Sequence, residues 1–202
     1  MNLQAVLQKM GAVQETVTTL TADFVQRRTS PLLAEPSVSR GRFYFEAPDS
    51  VLWRYREPRE MEVLIKDGVA ITYRPEEKRA EKIEIGRMQR RVFRFLGASE
   101  PLETLRRYFS FTFRAPRDVG DYTLILTPET YQLRKRLSRV ELVIDRDRYL
   151  PVAISYSDTG GDTTAYTFEN ITLNEPIPAA TFSLDLPDDV DVVEVSGRSD
   201  EQ

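Results

Sequence analysis

Gly41-Arg42-Phe43-Tyr44-Phe45-Glu46-Ala47-Pro48, Val51-Leu52-Trp53-Arg54-Tyr55-Arg56-Glu57-Pro58, Met61-Glu62-Val63-Leu64-Ile65-Lys66-Asp67-Gly68 and Val69-Ala70-Ile71-Thr72-Tyr73-Arg74-Pro75 are four short runs, each closed by a turn signal. They are rich in β-branched and aromatic residues, which favour a pleated, half-buried surface. Phe43 and Phe45 share a face of the first run. Val51, Trp53 and Tyr55 share a face of the second, with Arg54 and Arg56 on the other. Met61, Val63 and Ile65 alternate with Glu62 and Lys66, and Val69, Ile71 and Tyr73 alternate with Thr72 and Arg74. A period of two puts an apolar face and a wet face on each strand. Asp67-Gly68 is a tight-hairpin signal. The stretch therefore predicts an antiparallel meander with one large aromatic-rich face.

Outward from this stretch, Leu3, Val6, Leu7, Met10, Val13, Val17 and Leu20 recur at helical spacing and predict an amphipathic helix over residues 2–20. A strand follows at 21–26, and a two-proline loop at 29–38. Beyond the meander lie a short strand at 83–85 and two helices at 88–96 and 101–109, separated by Gly97 and Ser99. From Phe111 the period returns to two. Strands are expected at 109–113, 122–126, 140–144, 152–156 and 166–171, with a last edge segment at 182–187. The domain spans 1–195, and 196–202 reads as a flexible tail. One long helix, many antiparallel strands and two short helices give an α+β fold.

Composition narrows the chemistry. The chain has 202 residues, enough for one sizeable core, with a net charge of -4. That charge argues against nucleic acid as a partner. With no His and no Cys, the usual general base, the commonest metal ligand and thiol chemistry are all missing. No cofactor or metal is expected. Asp145/Asp147 and Asp188/Asp189/Asp191 lack metal-loop spacing and read as turn residues. No apolar run approaches the roughly 20 residues that span a bilayer.

The spacing Gly-x-Phe-x-Phe-x-x-Pro-x-x-x-x-Trp-x-x-x-x-Pro from Gly41 to Pro58, with Asp67-Gly68, Tyr73-x-Pro75 and Phe24-x-Gln26, resembles the bacterial outer-membrane lipoprotein carrier family, the LolA type. The resemblance implies a strongly curved, unclosed antiparallel β half-barrel, with helices 2–20, 88–96 and 101–109 as a lid over an apolar cavity. It implies a monomeric, non-enzymatic, exported protein of the periplasm, whose leader has been cut away and whose mature start carries a new Met. It also implies an acylated lipoprotein as cargo, an inner-membrane exporter as its source and an outer-membrane receptor as its destination. Proteobacterial carriers place an arginine before the proline matching Pro48, where it holds the empty cavity shut. Here that lid-latch position is Ala47.

Strand parity gives the expected lining: Phe43, Phe45, Val51, Trp53, Tyr55, Val63, Ile65, Ile71 and Tyr73, with Val92, Phe93, Leu96 and Leu105 from the helices. The simpler reading of these residues is a filled core; the resemblance favours an acyl-chain cavity. Ala47 keeps open a carrier of another envelope lipid or glycolipid, and the same fold also suits a lipid-sensing or interaction module. Basic residues beside the helices (Arg87, Arg90, Arg91, Arg94, Arg106, Arg107) and at Arg134-Lys135-Arg136 with Arg139 read either as solvated faces or as docking sites for an acidic partner or anionic headgroups.

Overall fold

The computed structural model describes residues 2–85, 105–117 and 119–195. The described strands, β1 (Thr19–Thr29), β2 (Ser37–Glu46), β3 (Ser50–Glu57), β4 (Met61–Lys66), β5 (Val69–Arg74), β6 (Arg79–Glu84), β7 (Phe109–Arg114), β8 (Tyr122–Pro128), β9 (Arg139–Ile144), β10 (Pro151–Ser157), β11 (Thr163–Leu173) and β12 (Asp191–Val195), follow α1 (Leu3–Thr16). A one-turn helix, α2 (Tyr131–Arg134), interrupts β8–β9, and a 3-10 turn covers Ala179–Phe182. The strand order is β12-β6-β5-β4-β3-β2-β1-β11-β10-β9-β8-β7. The sheet is thus unclosed and the fold α+β. No helix among the described residues is long and apolar enough to cross a membrane.

Two compact units arise from interleaved parts of the chain. The first gathers residues 2–16, 24–38, 105–117 and 119–169. Its antiparallel ladder β11-β10-β9-β8-β7 carries one cross-strand row: Tyr166, Ile154, Leu142, Leu124 and Phe113. The Phe24 ring packs beside its Tyr166 end, the two ring centroids 6.1 Å apart. Such rows are the unit of sheet stabilisation. In the same unit α1 starts at an Asn2 cap, whose side-chain oxygen accepts from the Ala5 amide at 2.9 Å. Lys9 Nζ donates to the Tyr149 hydroxyl at 3.0 Å.

The second unit gathers residues 17–23, 39–85 and 170–195. β2 to β6 form an antiparallel meander. Asp67 and Gly68 both have positive φ, 52° and 78°, as a two-residue hairpin turn demands. Asn174, itself at positive φ, ties the end of β11 to the start of β1: its Oδ1 accepts from the Thr18 amide at 2.8 Å.

Several expectations are corrected. The first helix stops at Thr16 rather than 20. Thr16 Oγ1 bonds back to the Val13 carbonyl, and the β-branched run Val17-Thr18-Thr19 then turns extended. Phe109, expected both to end a helix and to begin a strand, is the first residue of β7, as the strand expectation had it. The segment 182–187 is not a strand; the edge strand is β12, five residues paired parallel to β6. Arg134 belongs to α2 rather than to an irregular loop. The helix at 88–96, the start of the one at 101–109 and the tail at 196–202 lie outside the described residues.

Candidate functional site: an apolar sheet face

Register in the second unit sorts its side chains onto two faces. Phe45, Val51 and Ile65 form one cross-strand row; Phe43, Trp53 and Val63 form the next; Gly41, Tyr55 and Met61 form the third. Directly paired residues share a face, so these rows make one continuous surface. It holds no carboxylate, imidazole or amine. The Phe43 and Trp53 rings pack with centroids 4.7 Å apart at 59°, the tilted geometry aromatic quadrupoles favour. Phe43, Phe45, Val51, Trp53, Tyr55 and Ile65 are all buried, and Val63 is half-buried. The surface is therefore shielded from water in this structure.

Beyond β4 this face changes character. Ile65 pairs with Ala70 and Val63 with Thr72, so β5 offers only small or polar groups. Next on the same face come Arg74 and, on β6, Arg79, Glu81 and Ile83, with Glu81 Oε1 accepting ion pairs from Arg79 at 3.2 Å and Arg74 at 3.6 Å. The rim is thus charged around Arg74, Arg79 and Glu81 and apolar at Ile83, opposite Ala70.

Ile71 and Tyr73 do not belong to it. Ile71 pairs with Leu64 and Tyr73 with Glu62, which puts both on the opposite face. The cause is the two-residue turn: Lys66 pairs with Val69, so an odd-numbered residue in β4 faces the same way as an even-numbered one in β5. The longer turns on either side of β3 preserve parity. Ala70 and Thr72 are the face residues that parity alone missed, and the Asp67-Gly68 turn is the signal that places them; Met61 lies where parity puts it, beside Val63 and Ile65.

The opposite face is also not simply wet. Leu52 and Leu64 are buried under Phe182, with Tyr44, Ile177 and Leu184 packed around them. Its remainder is ionic: Arg54 pairs with Glu62, Arg42 with Asp23 at 3.1 Å, and both guanidiniums lie over the Tyr44 ring. Leu105, expected in the lining, is buried within the first unit. Val92, Phe93 and Leu96 lie outside the described residues. Ala47 is exposed in the turn after β2, and its amide donates to the Thr18 carbonyl at 2.8 Å.

The Asp145/Asp147 pair forms a turn, and Asp188 and Asp189 sit in another, but Asp191 is the first residue of β12. Asp145 Oδ1 accepts from the amides of Asp147 and Arg148 at 2.9 and 2.7 Å. Among the described residues no group of three carboxylates is placed to hold a metal.

These features define a class: an open-sheet α+β protein with a broad apolar face built on antiparallel strands. The model of the family "Outer membrane lipoprotein carrier protein LolA" matches residues 15–185, and the chain belongs to that family. A protein of Chromohalobacter salexigens named outer-membrane lipoprotein carrier protein is 23% identical over 94% of this chain and 87% of its own length. One of the same name from Bordetella avium is 28% identical, over 89% and 82%. An uncharacterized conserved protein from Thermus thermophilus shares the fold, with a TM-score of 0.58 at 11% identity, over 95% of this chain and 98% of that one.

Proposed function

We propose that this protein is a periplasmic carrier that shields the acyl chains of lipoproteins against the Phe45–Val51–Ile65 and Phe43–Trp53–Val63 rows and moves them from an inner-membrane exporter to an outer-membrane receptor. The observation that carries the reading is the uninterrupted apolar face in a chain of the carrier family. One acyl chain gains roughly 8–12 kcal/mol on leaving water, before ordering costs. The face is already buried in this structure, so cargo gains only the difference between its own contacts and those it displaces. A small net gain suits a carrier, because cargo must also leave.

The test is displacement of a fluorescent apolar dye from the purified protein by triacylated lipoprotein and by a panel of envelope lipids. Displacement by lipoprotein supports the reading. Displacement only by another lipid class keeps the face but changes the cargo, and a protein that binds no dye has a filled core there.

A further inference from the structure

The first unit carries a second candidate surface at one end of its ladder. Because neighbouring strands run antiparallel, the loop after β1, the β10–β11 turn and the β8–β9 connection emerge on the same side. The first is Ser30-Pro31-Leu32-Leu33-Ala34-Glu35-Pro36. Leu32 is 94% exposed and Leu33 48%. This loop is held rather than loose. The Leu33 amide donates to the Ser30 carbonyl at 3.0 Å, and Arg28 pairs with Asp162 of the β10–β11 turn at 3.1 Å. Pro31 lies against Gly161, so closely that a Cβ at that glycine would stand 3.2 Å from the proline Cγ. Two leucines are therefore presented to solvent by a built turn.

The neighbouring connection supplies charge and an aromatic ring. Arg134, Lys135 and Arg136 are consecutive and exposed. Tyr131 is 66% exposed, with Lys135 Nζ 4.3 Å from its ring centroid. This segment is tied to the same β10–β11 turn: Ser138 Oγ donates to the carbonyls of Ser157 and Asp158, and Thr159 Oγ1 to that of Lys135. The acids nearby are largely engaged. Glu141 pairs with Arg139, Asp162 with Arg28, and Asp158 Oδ1 accepts from the amides of Gly160 and Asp162. Glu35 and Glu129 are the other carboxylates carried by the two connections, and Arg106 and Arg107 add further positive charge in the segment leading into β7.

We propose that this end of the first unit docks on an anionic bilayer surface, with Leu32 and Leu33 entering the headgroup layer, Tyr131 at the interface and Arg134-Lys135-Arg136 over anionic headgroups. A few apolar side chains on separate loop tips are too little for a stable protein interface, which needs about 800 Å² per partner. They suit shallow insertion, where tip leucines leave water, tyrosine sits at headgroup level and adjacent cations meet negative lipid. The proposal goes beyond the cargo reading, since neither loop belongs to the apolar face of the second unit.

The test is flotation of the cargo-free protein with phosphatidylethanolamine vesicles containing phosphatidylglycerol, against vesicles of phosphatidylcholine alone. Binding is expected on the anionic vesicles only and weakens as salt rises. Replacing Arg134, Lys135 and Arg136 together by Gln lowers binding about 100-fold, and Leu32→Ser with Leu33→Ser about tenfold. The chain has no native Cys, so an environment-sensitive dye on Leu32→Cys reports insertion without removing any charge. Its emission shifts to the blue on anionic vesicles, whereas a dye on Val119→Cys, in the exposed loop at the opposite end of β8, does not respond. Failure to float, equal binding by both multiple variants, or equal responses from the two dyes overturns the proposal. Dye displacement at the apolar face is scored separately, so either idea fails without the other.

Discussion

The two faces of β2–β4 are built from the same strands, yet they do different things. One is apolar across three rows and carries no charge. The other buries Leu52 and Leu64 under Phe182 and is ionic elsewhere, through Arg42–Asp23 and Arg54–Glu62. The first four residues of β3 are consequently buried on both sides. A chain segment, 177–184, occupies the second face. The contrast teaches that apolar alternation locates a surface, whereas its neighbours along the ladder decide whether the surface serves packing or binding. Of the two, the first is the broader and carries no charge, which is what the proposed acyl-chain cargo requires.

Substitutions separate the two. Phe45→Ala removes a fully buried ring from the apolar face and costs about 3–5 kcal/mol; chemical denaturation reads the loss, and lipoprotein displacement of the dye weakens with it. Phe182→Ala costs about 3 kcal/mol through the cavity it leaves beside Leu52 and Leu64. Its cargo binding stays at the wild-type level, and a loss there would mean that the two faces are not independent.

A smaller effect of opposite sign is expected in α1. That helix buries Val6, Leu7 and Met10, but also Gln14, whose amide nitrogen and oxygen find no hydrogen-bond partner among the described residues. An unsatisfied buried amide is costly, so Gln14→Met raises stability by about 1–2 kcal/mol. A lower melting temperature would show that the amide is satisfied in solution. Glu62→Gln, which weakens a half-exposed ion pair on the charged face, shifts the denaturation midpoint by less than about 1 kcal/mol.

The smallest effect concerns acid. The Ser30 hydroxyl, and then the Arg28 guanidinium, hold the Asp162 carboxyl below its ordinary range. The stabilisation this gives is fully present above the ordinary aspartate value and is lost as pH falls through the lowered one. An NMR titration of Asp162 with a midpoint at or above the usual aspartate value would remove that account of how the Ser30–Pro36 loop is seated.

Much of this was legible locally. The four runs from Gly41 to Pro75 and the strands after Phe109 follow from alternation and turn residues, because each strand's period is a property of the strand itself. Part of what was missed depended on distant partners, and part on local turn and helix-end chemistry. β12 exposes four of its five residues, so nothing in Asp191-Val192-Val193-Glu194-Val195 advertises its parallel pairing with β6. The helical spacing of Val17 and Leu20 continues that of α1, but a β-branched run ends the helix first. Ile71 and Tyr73 were placed on the apolar face by parity, and only the pairing of Lys66 with Val69 shows that the tight turn reverses it. The covering of Leu52 by Phe182 joins residues far apart in the chain, beyond the reach of any local pattern.

The central claim concerns the face that holds Trp53, the only tryptophan in the chain. Its emission can be followed as lipoprotein with brominated acyl chains is added, because bromine quenches tryptophan only at close range. The account predicts strong quenching, reversed by unbrominated lipoprotein. Emission that stays constant while lipoprotein is demonstrably bound would place the cargo elsewhere and contradict it.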